Sequence, residues 1–154
     1  MEEIIKKAFE EVYTHQCFSL SERGEVHTLV FLIKDKQITP VLLAEGVKMD
    51  INKYISTSLI SAQDNDADAI LLIGEQYMVN GKKGDKGMQK ILSGEIKVSE
   101  HPDRKEHLVL SYMTAEGETE ILFGEIITND SGNKYVTDQK WMHKATSNIL
   151  TPWR

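Results

Sequence analysis

The sequence predicts an α+β fold: a single, mainly antiparallel sheet, hairpin plus meander, with two main helices packed on it. Three observations carry this expectation. An amphipathic helical pattern opens the chain. A second helical stripe follows a short pair of strand-like runs. From about residue 106 onward, strand-like runs succeed one another with only turns between them. Strands in succession, without strict strand–helix alternation, argue for hairpins and meanders.

Each element has its own signature. Ile4, Ile5, Ala8, Phe9, Val12 and Tyr13 recur at helical spacing, with Glu2, Glu3, Lys6, Lys7, Glu10 and Glu11 between them. That spacing predicts a helix over about residues 2–14, its acids in the first turn where the helix dipole favours them. Residues 25–33 and 37–43 are β-rich runs separated by Lys34-Asp35-Lys36, and read as a hairpin. Pro40 lacks a backbone donor, which makes its strand an edge or breaks it there. Asp50 is the expected N-cap of the next helix, whose stripe is Ile51, Tyr54, Ile55, Leu59 and Ala62. Asp64-Asn65-Asp66 ends it. The run Ala69-Ile70-Leu71-Leu72-Ile73 then reads as a strand buried on both faces and extending to Val79. Strands at about 106–114 and 118–128 flank the turn Ala115-Glu116-Gly117. After the turn at 129–132, Tyr135-Val136 forms a short strand. Trp141, Met142, Ala145 and Ile149 are spaced for a short C-terminal helix.

Composition bounds what such a domain does. The 154 residues are 40% hydrophobic and 27% charged, the balance of a globular protein and a length suited to one domain, 1–154. A single cysteine, Cys17, excludes an intramolecular disulfide and a multi-cysteine zinc site. The net charge of −6 makes nucleic acid a poor general partner. Met1-Glu2-Glu3-Ile4-Ile5-Lys6-Lys7 has neither the basic start nor the apolar stretch of a secretory signal, and no apolar run approaches a membrane span. A cytoplasmic location follows as the expectation, with no membrane contact.

One segment departs from the acidic background. Residues 80–98 carry five lysines (82, 83, 86, 90 and 97) against Asp85 and Glu95, a net +3 that leaves −9 for the rest of the chain. Glycines that admit close backbone approach, together with Lys82, Lys83 and Lys86, fit an anion-binding loop. The P-loop spacing is absent. The alternative is a flexible, solvated excursion that guards a sheet edge.

Candidate chemistry is concentrated in Ser99-Glu100-His101-Pro102-Asp103-Arg104-Lys105-Glu106 and in two matching triplets, Ile73-Gly74-Glu75 and Phe123-Gly124-Glu125. His101, Asp103 and Arg104 offer a base and an anion anchor just ahead of a strand. A glycine inside a strand marks a bulge or a close backbone approach. If the alternation is strict, Glu75 shares a face with Leu71 and Ile73, and a carboxylate there must be paired or re-aimed. The catalytic candidates are therefore Glu75, His101, Asp103, Arg104 and Glu125, the two glutamates as an acidic pair near His101 or His107. The alternative is that bulges turn both acids to solvent and the block is a polar strand start. No metal-ligand spacing and no cofactor fingerprint occurs, so neither metal nor cofactor is expected. Cys17 reads as a small buried hydrophobe. Trp141 and Trp153 either anchor a partner or fold back over their own core.

The Ser-Glu-His-Pro-Asp-Arg-Lys-Glu block, preceded by an acid-bearing strand and followed by an apolar one, resembles a family of small bacterial and phage-associated proteins. The resemblance covers about residues 66–128 and differs in a longer lysine-rich insert. No activity is attached to that family, so the resemblance implies no catalytic residue. Function is thus expected to lie in protein–protein contacts of a non-enzymatic domain, as a homo-oligomer or with another protein. A small hydrolase or metal-assisted enzyme built on the acid/His/Arg cluster, and an anion or nucleic-acid binder built on the 80–98 loop, are the alternatives.

Overall fold

The computed structural model describes residues 3–42, 50–78, 89–90, 93–95, 97, 100, 104–143 and 150–154. Its elements are α1 (Glu3–Arg23), β1 (Leu29–Lys34), β2 (Gln37–Pro40), α2 (Ile51–Asp64), β3 (Ala69–Met78), β4 (Lys105–Thr114), β5 (Thr119–Thr128), β6 (Lys134–Val136) and β7 (Lys140–His143). The strands form one seven-stranded sheet in the order β2-β1-β3-β4-β5-β6, with β7 also on β5. Every pairing is antiparallel. The α+β class is as the sequence predicts.

Hydrophobic residues sort onto two faces of this sheet. Phe9, Tyr13 and Leu20 of α1 share a core with Ile33, Leu71, Ile73, Leu108, Leu110, Leu122 and Ile126. Tyr54 and Ile55 of α2 share another with Val30, Ile70, Leu72 and Met113. Consecutive residues of β3 alternate between the two clusters because successive strand side chains point to opposite faces. The central strand is consequently buried on both, with each residue from Ala69 to Ile73 at most 2% exposed.

α1 extends well past the predicted end near Thr14 and runs to Arg23. Its buried stripe is Phe9, Tyr13, Gln16 and Leu20, and the polar Gln16 in that stripe hides the continuing helical period from a hydrophobicity reading. Gly24 closes the helix with a positive φ of 71° and a 2.8 Å bond from its N–H to the Leu20 carbonyl. At α2, the Asp50 carboxylate accepts from the Lys53 N–H at 2.8 Å, the predicted cap.

The hairpin is shorter than predicted, 29–34 and 37–40, and turns on two residues. Asp35 and Lys36 both have positive φ, 49° and 66°, as a turn matching strand twist requires. Asp68 holds this turn by accepting the Asp35 N–H at 2.9 Å, and Lys34 Nζ donates to the Asn65 carbonyl at 2.7 Å.

Two expectations at the C-terminal side are corrected. Trp141 and Met142 lie on a strand, β7, paired with Leu122 and Ile121; residues 144–149 lie outside the described set. Nor is there a bulge at either strand glycine: β3–β4 and β4–β5 pair in unbroken register. The extra residue is on the opposite strand. Between Phe123↔Lys140 and Ile126↔Val136, β5 has two residues and its partner has three, 137–139. This one-residue offset lets Val136 and Trp141, five apart, both pack against the α1-side core.

Candidate functional site

The predicted acid pair is split by the sheet. Glu75 is in register with Leu108, and Leu108 with Gly124. Glu125 is one residue further on and therefore faces the other way. Glu75 lies on the α1 side and is exposed. Glu125 is opposite His107 on the α2 side, 3.9 Å from Lys105 Nζ. The His107 ring is buried, with Nδ1 3.0 Å from the Lys105 carbonyl and the ring centroid 6.1 Å from that of Phe123. Strict alternation of an unbulged strand, one of the two options the sequence leaves open at Glu75, is what separates the carboxylates.

Around Glu75 the structure gathers Gln76, Tyr77 and Glu106 at a small cleft of about 140 Å³. The Arg104 guanidinium lies 5.5 Å from the centroid of the Tyr77 ring. Arg104 is thus brought to the same end of the sheet as Glu75. His101 and Asp103, and the lysines Lys82, Lys83 and Lys86, lie outside the described residues. Among the described residues no three His, Cys, Asp or Glu side chains are placed to hold a metal ion, and no described helix is long and apolar enough to cross a membrane.

Cys17 is half-buried on α1, and burial pushes its thiol up to about 11. A thiol so seldom ionised near neutrality is a poor nucleophile. Trp153 folds back: its indole N–H donates to the Ala67 carbonyl at 3.0 Å, while Leu150 enters the α2-side core. Arg154 bonds Asp66 at 2.9 Å, Asp68 at 3.1 Å and Glu116 at 3.3 Å. Trp141 is packed as well, with Lys6 Nζ 5.5 Å from its centroid and His143 stacked on it. Both tryptophans serve the chain's own packing.

A larger opening lies at the other edge of the sheet, at a place the sequence marks only through Pro40. β2 ends the strand order. In a two-residue hairpin the flanking pair, Lys34–Gln37, is hydrogen-bonded, and bonded and non-bonded pairs alternate from there. Ile38 and Pro40 therefore turn their backbone groups away from β1. Pro40 has no N–H, so Ile38 carries the one outward donor of β2, along with an outward carbonyl.

Beyond Pro40 the strands part. Val41 N–H still donates to the Val30 carbonyl at 2.8 Å. The return bond is replaced by the Tyr54 hydroxyl, which accepts from Val30 N–H at 3.2 Å and donates to the Val41 carbonyl at 2.6 Å. A groove of about 530 Å³ lies between the hairpin and the end of α2, lined by Leu32, Thr39, Val41, Leu42, Ser61 and Asn65 among others. Leu42 stands at its rim, 79% exposed.

The chain matches no family model, and comparison with curated proteins and with solved structures finds no match.

Proposed function

We propose that this chain is a non-enzymatic protein-contact module that receives an extended segment of another protein along β2. The observation that supports it best is the juxtaposition of a strand edge that is unpaired among the described residues with the groove beside it. An incoming strand exchanges backbone hydrogen bonds with Ile38, and every second side chain of that strand points into the groove. Leu32, Val41 and Leu42 offer it apolar contact, and Ser61 and Asn65 offer polar partners. The Pro40 ring limits the ladder, which restricts indiscriminate pairing of the edge.

A reducing, cytoplasmic setting suits a chain with one unreactive thiol, and kinship with the bacterial and phage-associated family remains part of this proposal. The hydrolase reading loses its acid pair to the opposite faces of the sheet. The anion-binding reading rests on lysines outside the described residues.

Selection of extended peptides from a displayed random library tests the proposal. Binders should protect the Ile38 amide from hydrogen exchange, survive Ile38→Val, and lose binding in Ile38→Pro, which removes the remaining outward donor. Peptides that bind Ile38→Pro as well as the parent would overturn it.

A further inference from the structure

The outer face of α1 carries a pattern that the packing of the described residues does not use. Its inner stripe, Phe9, Tyr13, Gln16 and Leu20, is buried. On the opposite side, Ile4, Lys7, Glu11, Thr14, His15 and Phe18 are exposed at heptad-like spacing. Two of these are large and apolar, yet Ile4 is 71% and Phe18 63% exposed. They lie fourteen residues apart, four turns within roughly 40° of one meridian and about 21 Å along the axis. Single exposed apolar residues are ordinary; two terminating one charged stripe make a self-complementary arrangement.

We infer that this stripe is the interface of a homodimer in which two α1 helices pack antiparallel about a two-fold axis at Glu11. That axis sets Ile4 against Phe18 of the second copy, and the symmetry repeats the contact at the other end. Between the two apolar ends, the axis sets Lys7 of each copy against His15 of the other, and Lys7 reaches diagonally to the other copy's Glu11, one turn away. The two Glu11 carboxylates that meet at the centre are flanked by two lysines, so the charges alternate. Antiparallel helix dipoles also oppose each other favourably.

Charge complementarity within a single stripe, repeated by two-fold symmetry, selects a second copy over an unrelated partner. One helix face buries on the order of 800–1,000 Å² in total, at the low end for specific interfaces. The dimer is accordingly expected to be weak and reversible. α1 packs beside β4 and β6, whereas β2 is at the other edge of the sheet. The inference goes beyond the proposed peptide site and stands or falls apart from it.

Sedimentation velocity on the full chain, from about 1 to 300 µM, tests it. The wild type should shift reversibly from monomer to dimer. Phe18→Ser and Ile4→Ser should each remain monomeric with unchanged circular dichroism, since both side chains are exposed. Glu11→Lys should weaken association about tenfold by gathering four lysines at the axis. Adding Lys7→Glu to Glu11→Lys exchanges the charges and should restore the wild-type Kd within about threefold. A wild type that stays monomeric throughout would overturn the inference. So would a dimer indifferent to Phe18→Ser, or a double charge exchange that fails to rescue Glu11→Lys.

Discussion

Gly74 and Gly124 occupy the same place in matching triplets, yet replacing each by alanine should have unequal consequences. Neither has a positive φ, so the backbone admits alanine at both. A Cβ on Gly74 meets Thr28 Oγ1 at 3.0 Å, a side-chain atom that can rotate away. At Gly124 it lies 2.6 Å from the Thr137 carbonyl oxygen and from Val136 Cγ1, and 3.0 Å from Tyr13 Oη. Ordinary contact needs about 3.5 Å, so the edge strand must retreat by roughly 0.9 Å. Thr137 is held by its own N–H and Oγ1, both donating to the Glu125 carbonyl, at 2.8 and 3.1 Å. Tyr13 is held by its hydroxyl donating to the Leu108 carbonyl at 3.1 Å.

The overpacking costs about 1–3 kcal/mol, and loosening one or two of those bonds about 1 kcal/mol each. Reduced unfolded-state entropy returns about 0.4–1 kcal/mol. At the middle of these ranges Gly124→Ala should lose about 2–3 kcal/mol, and Gly74→Ala should stay within about 1 kcal/mol of wild type. For a chain of this length that is a Tm fall of roughly 4–12 °C for the first variant only. Urea denaturation of both variants, with unchanged m-values, measures it. A Gly124→Ala protein within about 0.5 kcal/mol of wild type, or an equal loss in both variants, would refute the close-approach argument.

Three further outcomes follow from the packing. Tyr54→Phe removes the hydroxyl that bridges Val30 and Val41; it should cost about 1–3 kcal/mol in urea denaturation and speed amide exchange at Val30. Asp68 is held below the usual carboxylate range by the Asp35 N–H first and the Arg154 side chain next. Its stabilisation is complete above the ordinary aspartate pKa and is lost as pH falls through the depressed folded value, so Asp68→Asn should flatten the acid limb of stability below about pH 4. Cys17, raised to about 11 by burial, should react with iodoacetamide at pH 7.5 several-fold more slowly than in urea-unfolded chain; equal rates would contradict the burial.

Local signals were enough for much of this fold. Asp50 announced its helix because a cap is a contact within one turn. Pro40 announced an edge because a missing donor is a property of one residue. The run Ala69–Ile73 announced a central strand because two buried faces leave no room for a polar residue. The same locality explains the misses. Gln16 concealed the later turns of α1, since its burial depends on the sheet beneath it. Trp141 and Met142 read as helical because the strand they pair with, β5, lies far back along the chain.

What the amino-acid order alone determined, then, is most of the elements, β7 excepted, and the antiparallel class, for these follow from periodicity, caps and turns. Which acids meet was decided by tertiary structure. A shift of one residue in register reverses a strand's faces, so Glu75 and Glu125 could share a site or be divided by the sheet with the same composition and spacing. The groove beside β2 was likewise decided there, because its walls come from the hairpin and from Ser61 and Asn65 at the far end of α2, which only tertiary packing brings together.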